Sequence, residues 1–206
     1  MKILFIGDSI TDCGRIKDQD LSLGQGYVLM VAGELSHGFP ERSFDFLNRG
    51  ISGNKITDLL ARWRRDCINL EPDLVSILVG VNDIWHEFNR QDGVSAEMYE
   101  RLYDIVLEDT RAGLPNAKIV LCEPFAVDAE GIKDVYPHIK PGLDVLQLVV
   151  RRLADNHGCT FLPLQDAFNR ACKTNRAEYW LHDGVHPSPA GHMLIAQEWI
   201  KTVDLS

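Results

Sequence analysis

The sequence predicts an α/β protein, a three-layer α/β/α sandwich built on a five-stranded parallel sheet. Three observations carry that expectation. Short apolar runs alternate with longer amphipathic stretches along the whole chain, the pattern of βαβ units. The central run Leu74-Val75-Ser76-Ile77-Leu78-Val79 is nearly continuous, which suits a strand covered on both faces. The segments after the runs are rich in glycine and small polar residues, at the carboxyl edge where open α/β sheets bind ligands.

The elements follow in order. Residues 2–7 form an apolar run closed by a glycine and read as the first strand, and 26–37 carries apolar residues at helical spacing. Residues 43–48 read as the second strand and 55–70 as the second helix. Within that helix, Arg62-Trp63-Arg64-Arg65 is the only dense basic stretch and reads as a solvated helix face. The third strand spans 73–79, and Ser95 opens a helical pattern over 95–112. Strand 117–122 is followed by a long connection over 123–141, and a connection of that length in a compact domain points to function or to disorder. A helix over 142–157, a strand over 160–164 and a short helix over 165–173 come next. Ser188-Pro189 then reads as N-cap and first residue of a closing helix over 189–203. Five strands in this alternation suggest a flavodoxin-like order.

The 206 residues are expected to form one domain, 1–206, large enough to need no metal or disulfide staple. Net charge is −9, from 21 Lys+Arg against 30 Asp+Glu. That balance argues against nucleic acid or an anionic membrane as partner, because binding phosphates needs clustered positive charge. The five cysteines are odd in number and scattered, with no C-x-x-C pair, which suits a reducing compartment. The apolar start, six residues long, is too short for a signal-peptide core, so a cytoplasmic location is expected.

Four segments follow strands or sit on stiff turns and can carry chemistry. In Gly7-Asp8-Ser9-Ile10-Thr11, Ser9 has the place of a nucleophile at the sheet edge, although a serine there often only caps a helix. In Asp183-Gly184-Val185-His186-Pro187, a carboxylate and an imidazole can meet within one loop, and Pro187 keeps His186 out of a helix. Gly50, in Asn48-Arg49-Gly50-Ile51-Ser52-Gly53, can bring a backbone N–H close to a ligand, and Asn82, in Gly80-Val81-Asn82-Asp83, can offer an uncharged amide. With the Ser9 N–H these make three donors for an oxyanion; taken singly, each is an ordinary turn residue. His182 and His186 lie four apart, but Gly184 and Pro187 break any helix between them, so a metal pair is disfavoured. His192, in the closing helix, reads as a packing or surface residue.

Taken together, the four blocks resemble SGNH hydrolases, the GDSL esterase/lipase family, in order and spacing from residue 7 to residue 187. The resemblance implies the SGNH hydrolase fold, with Ser9 as nucleophile, His186 as base and Asp183 as its orienting carboxylate. It also implies Gly50 and Asn82 as oxyanion donors beside Ser9, and no cofactor or metal. Ile10 replaces the leucine of the name-giving motif, a conservative change. Phe5 to Arg15, Gly26-Tyr27-Val28, Ala61-Arg62-Trp63, Asn82-Asp83-Ile84-Trp85 and His186 to His192 are similar to the intracellular carbohydrate acetylesterase branch, whose members act on acetyl-xylooligosaccharides. The implied partner is a small ester, an acetylated oligosaccharide. Lysophospholipase or thioesterase activity and a non-catalytic sugar-binding role on the same fold are the alternatives. Asp8, Trp85 and Trp180 are the candidate substrate contacts, flat aromatic faces being suited to sugar rings, with Tyr179 beside them. Exposed-looking aromatics leave room for a homo-oligomer.

Overall fold

The computed structural model describes residues 1–205. Among these, five strands form one parallel sheet in the order β2-β1-β3-β4-β5, the flavodoxin-like order expected. The strands are β1 (Lys2–Gly7), β2 (Asp45–Gly50), β3 (Leu74–Leu78), β4 (Lys118–Cys122) and β5 (Thr160–Leu162). β1 pairs with β2 through Gly7 opposite Gly50 and with β3 through Gly7 opposite Leu78. The three chain segments that leave these residues therefore start side by side.

The helices are α1 (Ser9–Asp12), α2 (Tyr27–Gly38), α3 (Ile56–Asp66), α4 (Val81–Arg90), α5 (Ala96–Gly113), α6 (Tyr136–His157), α7 (Gln165–Ala171), α8 (Ala177–Trp180) and α9 (Pro189–Thr202). They cover both faces of the sheet, and β1 shows how. Ile3 and Phe5 pack with Val28, Val31 and Leu35 of α2 and Trp199 of α9. The alternate residues Leu4 and Ile6 pack with Leu59 and Trp63 of α3, Leu107 of α5 and Val150 of α6. This is the period-two alternation of a strand with a core on each side. No helix among the described residues is long and apolar enough to cross a membrane.

Several elements differ from expectation, among them α1 and α8, which the sequence did not suggest. β2 runs through Gly50, two residues past Asn48, so the ladder takes in residues read as a loop. α4 was not expected, because Gly80-Val81-Asn82-Asp83 reads as a turn; Asn82 instead stands in its first turn. α6 begins at Tyr136 and contains Pro141. The proline falls near the helix start, where its missing N–H and its ring disturb only the first turns. The basic stretch is also not a solvated face. Arg62 and Trp63 are buried while Arg64 and Arg65 are exposed.

Candidate active site

The carboxyl ends of β1, β2 and β3 open into a cleft of about 640 Å³, and Ser9, Asn82, Gly53, Trp85 and His186 are among its lining residues. Asp8 caps α1 by accepting the Ile10 N–H on its carboxylate at 3.0 Å. That turn holds Ser9 directly after the strand. Ser9 Oγ lies 2.9 Å from His186 Nε2, and His186 Nδ1 lies 2.7 Å from Asp183 Oδ2. The carboxylate can only accept, so Nδ1 carries the proton and Nε2 is left to accept from the Ser9 hydroxyl.

The loop bearing the pair is stiff. Asp183 Oδ1 accepts the backbone N–H groups of Val185 at 2.9 Å and His186 at 2.8 Å. The His182 N–H donates to the His186 carbonyl, and the Val127 N–H to that of Gly184. Gly184 is required here: its φ is +91°, and a Cβ would lie 2.6 Å from Ile132 Cγ1. Ser188 Oγ caps α9 at Gly191 N while donating to the Tyr179 carbonyl at 2.6 Å.

The electrostatics suit an acid–base pair. Burial works against the Asp183 carboxylate, yet the hydrogen bonds from His186 and Val185 hold its pKa well below the usual range. The Asp183 hydrogen bond raises the pKa of His186 above 6.5, with partial burial opposing it. Asp8 behaves differently, since burial pushes its carboxyl up to about 7. It is 1% exposed and does not line the cleft, so it is a helix cap and not the substrate contact expected.

Three residues with N–H donors line the cleft, Ser9, Asn82 and a glycine, but the glycine is not the one expected. The Gly50 N–H is taken by Asn48 Oδ1 at 2.8 Å, and Gly50 does not line the cleft. Gly50 is needed for a different reason: a Cβ there would lie 2.2 Å from the Asp12 backbone nitrogen. Gly53, three residues on, does line the cleft, and its N–H, like that of Ser9, has no partner among the described residues. One Asn82 Nδ2 hydrogen goes to the Asn54 carbonyl at 3.1 Å, which leaves the other for the cleft. Of the aromatics, Trp85 lines the cleft and Trp180 does not. The Trp180 ring packs against the core and stands edge-on to Tyr179, centroids 5.0 Å apart.

Comparison with known proteins bears on this arrangement. The family model for the GDSL-like lipase/acylhydrolase family matches residues 5–194. The chain belongs to this family. It is 36% identical over 98% of its length, and 93% of the other's, to the acetylxylan esterase of Geobacillus stearothermophilus. A crystal structure of that esterase matches with a TM-score of 0.88 at 35% identity, covering 100% of this chain and 94% of the other. A GDSL-like protein from Parabacteroides merdae matches with a TM-score of 0.94 at 40% identity, covering 98% and 94%. As a GDSL hydrolase, the protein is a carboxylic ester hydrolase.

Two residues of this hydrolase's site escape sequence reasoning. Arg62 is buried and ties the strand ends together. Its Nε donates to Asn54 Oδ1 at 2.8 Å, Nη1 to the Arg49 carbonyl at 2.8 Å and to Asp66, and Nη2 to the Gly7 carbonyl at 3.2 Å. Asn54 in turn holds Asn82. The only sign in the sequence was an arginine on the apolar side of a helix, next to the buried Trp63. His192 is 4% exposed and lines the cleft. It accepts the Tyr27 N–H on Nδ1 at 3.1 Å, so Nε2–H donates to Cys13 Sγ at 3.2 Å. Burial lowers its pKa to about 4, so it is a neutral wall of the cleft and not a second base.

Proposed function

We propose that the protein removes short acyl groups, chiefly acetyl, from small carbohydrates through a Ser9–His186–Asp183 triad. The observation that carries this reading is the hydrogen-bonded line from Asp183 Oδ2 through His186 to Ser9 Oγ, with steps of 2.7 and 2.9 Å, opening into the cleft. Ser9 Oγ attacks the ester carbonyl while His186 Nε2 takes its proton. The oxyanion is received by the N–H groups of Ser9 and Gly53 and the free Asn82 amide hydrogen. His186 then protonates the departing sugar oxygen. Water, deprotonated by the same nitrogen, frees acetate from Ser9 and closes the cycle.

The cleft suits a sugar ester. Gln25, Ser52, Asn82, His86, Asn89 and Arg90 line it together with Trp85 and Pro187, which offers hydrogen-bonding groups to hydroxyls and an apolar face to a sugar ring. The Geobacillus relative is an acetylxylan esterase, which supports the same substrate class. The test is acetate release from acetylated xylo-oligosaccharides, beside the hydrolysis of p-nitrophenyl acetate and octanoate. Acetate preference with sugar-dependent KM is expected; preference for octanoate overturns the substrate class. Failure of a fluorophosphonate probe to label Ser9 overturns the mechanism.

A further inference from the structure

A second hollow, of about 420 Å³, shares no lining residue with the cleft. Arg15, Lys17, Arg49 and Arg65 line it, against only Asp20 and Asp66. In a protein of net charge −9, this is a local surplus of two positive charges. The two carboxylates are already engaged. Asp66 is bonded to Arg62 and Arg65, and Asp20, 80% exposed, reaches Arg49 at 2.7 Å.

Arg15 is the telling residue. It is 9% exposed, and its Nε donates to the Gly50 carbonyl at 2.8 Å. Its two Nη groups have no hydrogen-bond partner, and no carboxylate lies within ion-pair distance, among the described residues. Asp12, Asp20 and Asp66 act on its charge only from beyond ion-pair distance, so its Nη groups are free to receive an anion. Two guanidiniums on one hollow present the fork that tetrahedral oxoanions accept, and a dianion balances the surplus.

We propose that this hollow binds a doubly charged phosphate group, as inorganic phosphate or a phosphate monoester, between Arg15 and Arg49. The occupant lies against the braces of the loop that follows β2. Arg15 holds the Gly50 carbonyl. Asp12, 3.8 Å from Lys17 Nζ, accepts both the N–H and the O–H of Ser52 at 3.0 and 3.1 Å. The site is independent of the ester chemistry assigned to the cleft.

The test is calorimetric titration of the full chain with inorganic phosphate and, separately, glycerol 3-phosphate, at ionic strength held constant with sodium chloride. Melting temperature is followed in parallel. Saturable one-site binding and a concentration-dependent rise in Tm are expected. Arg15→Gln and Arg49→Gln weaken binding about tenfold or more, each removing a charge-assisted contact. Asp20→Asn frees Arg49 and tightens binding. Asp20 is exposed, so its variant decides the matter even where Arg15→Gln does not fold. Tighter binding of the monoester marks a phosphorylated small molecule as the ligand, and tighter inorganic phosphate marks the free ion. No saturable heat and no rise in Tm beyond the sodium chloride control overturn the site. Affinity unchanged in both Arg49→Gln and Asp20→Asn does so as well.

Discussion

Replacing Asp183 by asparagine changes one atom of the proposed triad and leaves its scaffold in place. Oδ1 of Asp183 carries the two backbone bonds, from Val185 at 2.9 Å and His186 at 2.8 Å, and asparagine keeps that oxygen, so the turn survives. Oδ2, 2.7 Å from His186 Nδ1, becomes an amide nitrogen. That group donates and cannot receive Nδ1–H, so the imidazole adopts the other tautomer. Nε2 then carries the hydrogen and aims it at Ser9 Oγ across 2.9 Å. A base in this state cannot take the hydroxyl proton, and a wrong-tautomer triad loses about 10⁴ in kcat, or roughly 5.5 kcal/mol of barrier. A second readout is independent of the first. The base works only when neutral, so activity falls as pH drops through the His186 pKa, which Asp183 holds above 6.5. Without that carboxylate the residual activity extends to lower pH. The assay is nitrophenolate release from p-nitrophenyl acetate over a pH series, with Tm measured on the same sample. A folded Asp183→Asn variant that loses less than about tenfold in kcat, with its acid limb unmoved, would refute the tautomer argument.

Three further outcomes are expected. Asn82→Ala removes one oxyanion donor and costs about 10²–10³ in kcat, roughly 2.7–4 kcal/mol, with KM nearly unchanged; full turnover in a folded variant denies Asn82 that role. Arg62→Lys cannot span Asn54, Arg49 and Gly7, and it lowers kcat about tenfold by letting Asn54 and Asn82 drift. Because it acts through Asn82, it adds little in an Asn82→Ala background, and fully additive losses in the double-mutant cycle contradict the relay. Burial holds Asp83 at about 8 and Asp8 at about 7, against 3.8 for an ordinary aspartate. The folded chain therefore keeps protons that the unfolded chain has released. Stability from these groups is full below about pH 4 and is lost as pH rises through about 7 to 8, by up to roughly 1.4 kcal/mol per pH unit for each carboxyl. Asp83→Asn flattens the decline of Tm across that window, and an unchanged slope argues against a protonated Asp83.

The contact of Asp183 with His186 was legible because its geometry is local. Asp183 and His186 meet across one turn, and Pro187 and Ser188 mark that turn in the sequence. The strands were legible because buried parallel strands are apolar throughout. Which glycine lines the cleft was not legible. Asn48-Arg49-Gly50-Ile51-Ser52-Gly53 holds two glycines, and which one faces the cleft depends on where β2 ends. It ends at Gly50, where the Asn48 side chain takes the N–H; strand ends are set by pairing with neighbours and not by local pattern. Arg62 misled for a related reason. A charged side chain reads as exposed until the carbonyls at the sheet edge are known to need a donor. Trp180 was placed by its neighbourhood in sequence, yet its ring packs against the core.

Ser9 and His186 are 177 positions apart, yet one hydrogen bond joins them. Ser9, the proposed nucleophile, belongs to the turn after the first strand, and His186, the proposed base, to the loop that leads into α9. Activity is therefore a report on closure between two distant stretches of chain, not on the amount of secondary structure. An excursion that lifts the 181–188 loop from its braces costs less free energy than melting the sheet. In a denaturant titration, ester hydrolysis should vanish at lower concentration than the far-ultraviolet signal of the helices and strands. The gap between the two midpoints measures how loosely that loop is held.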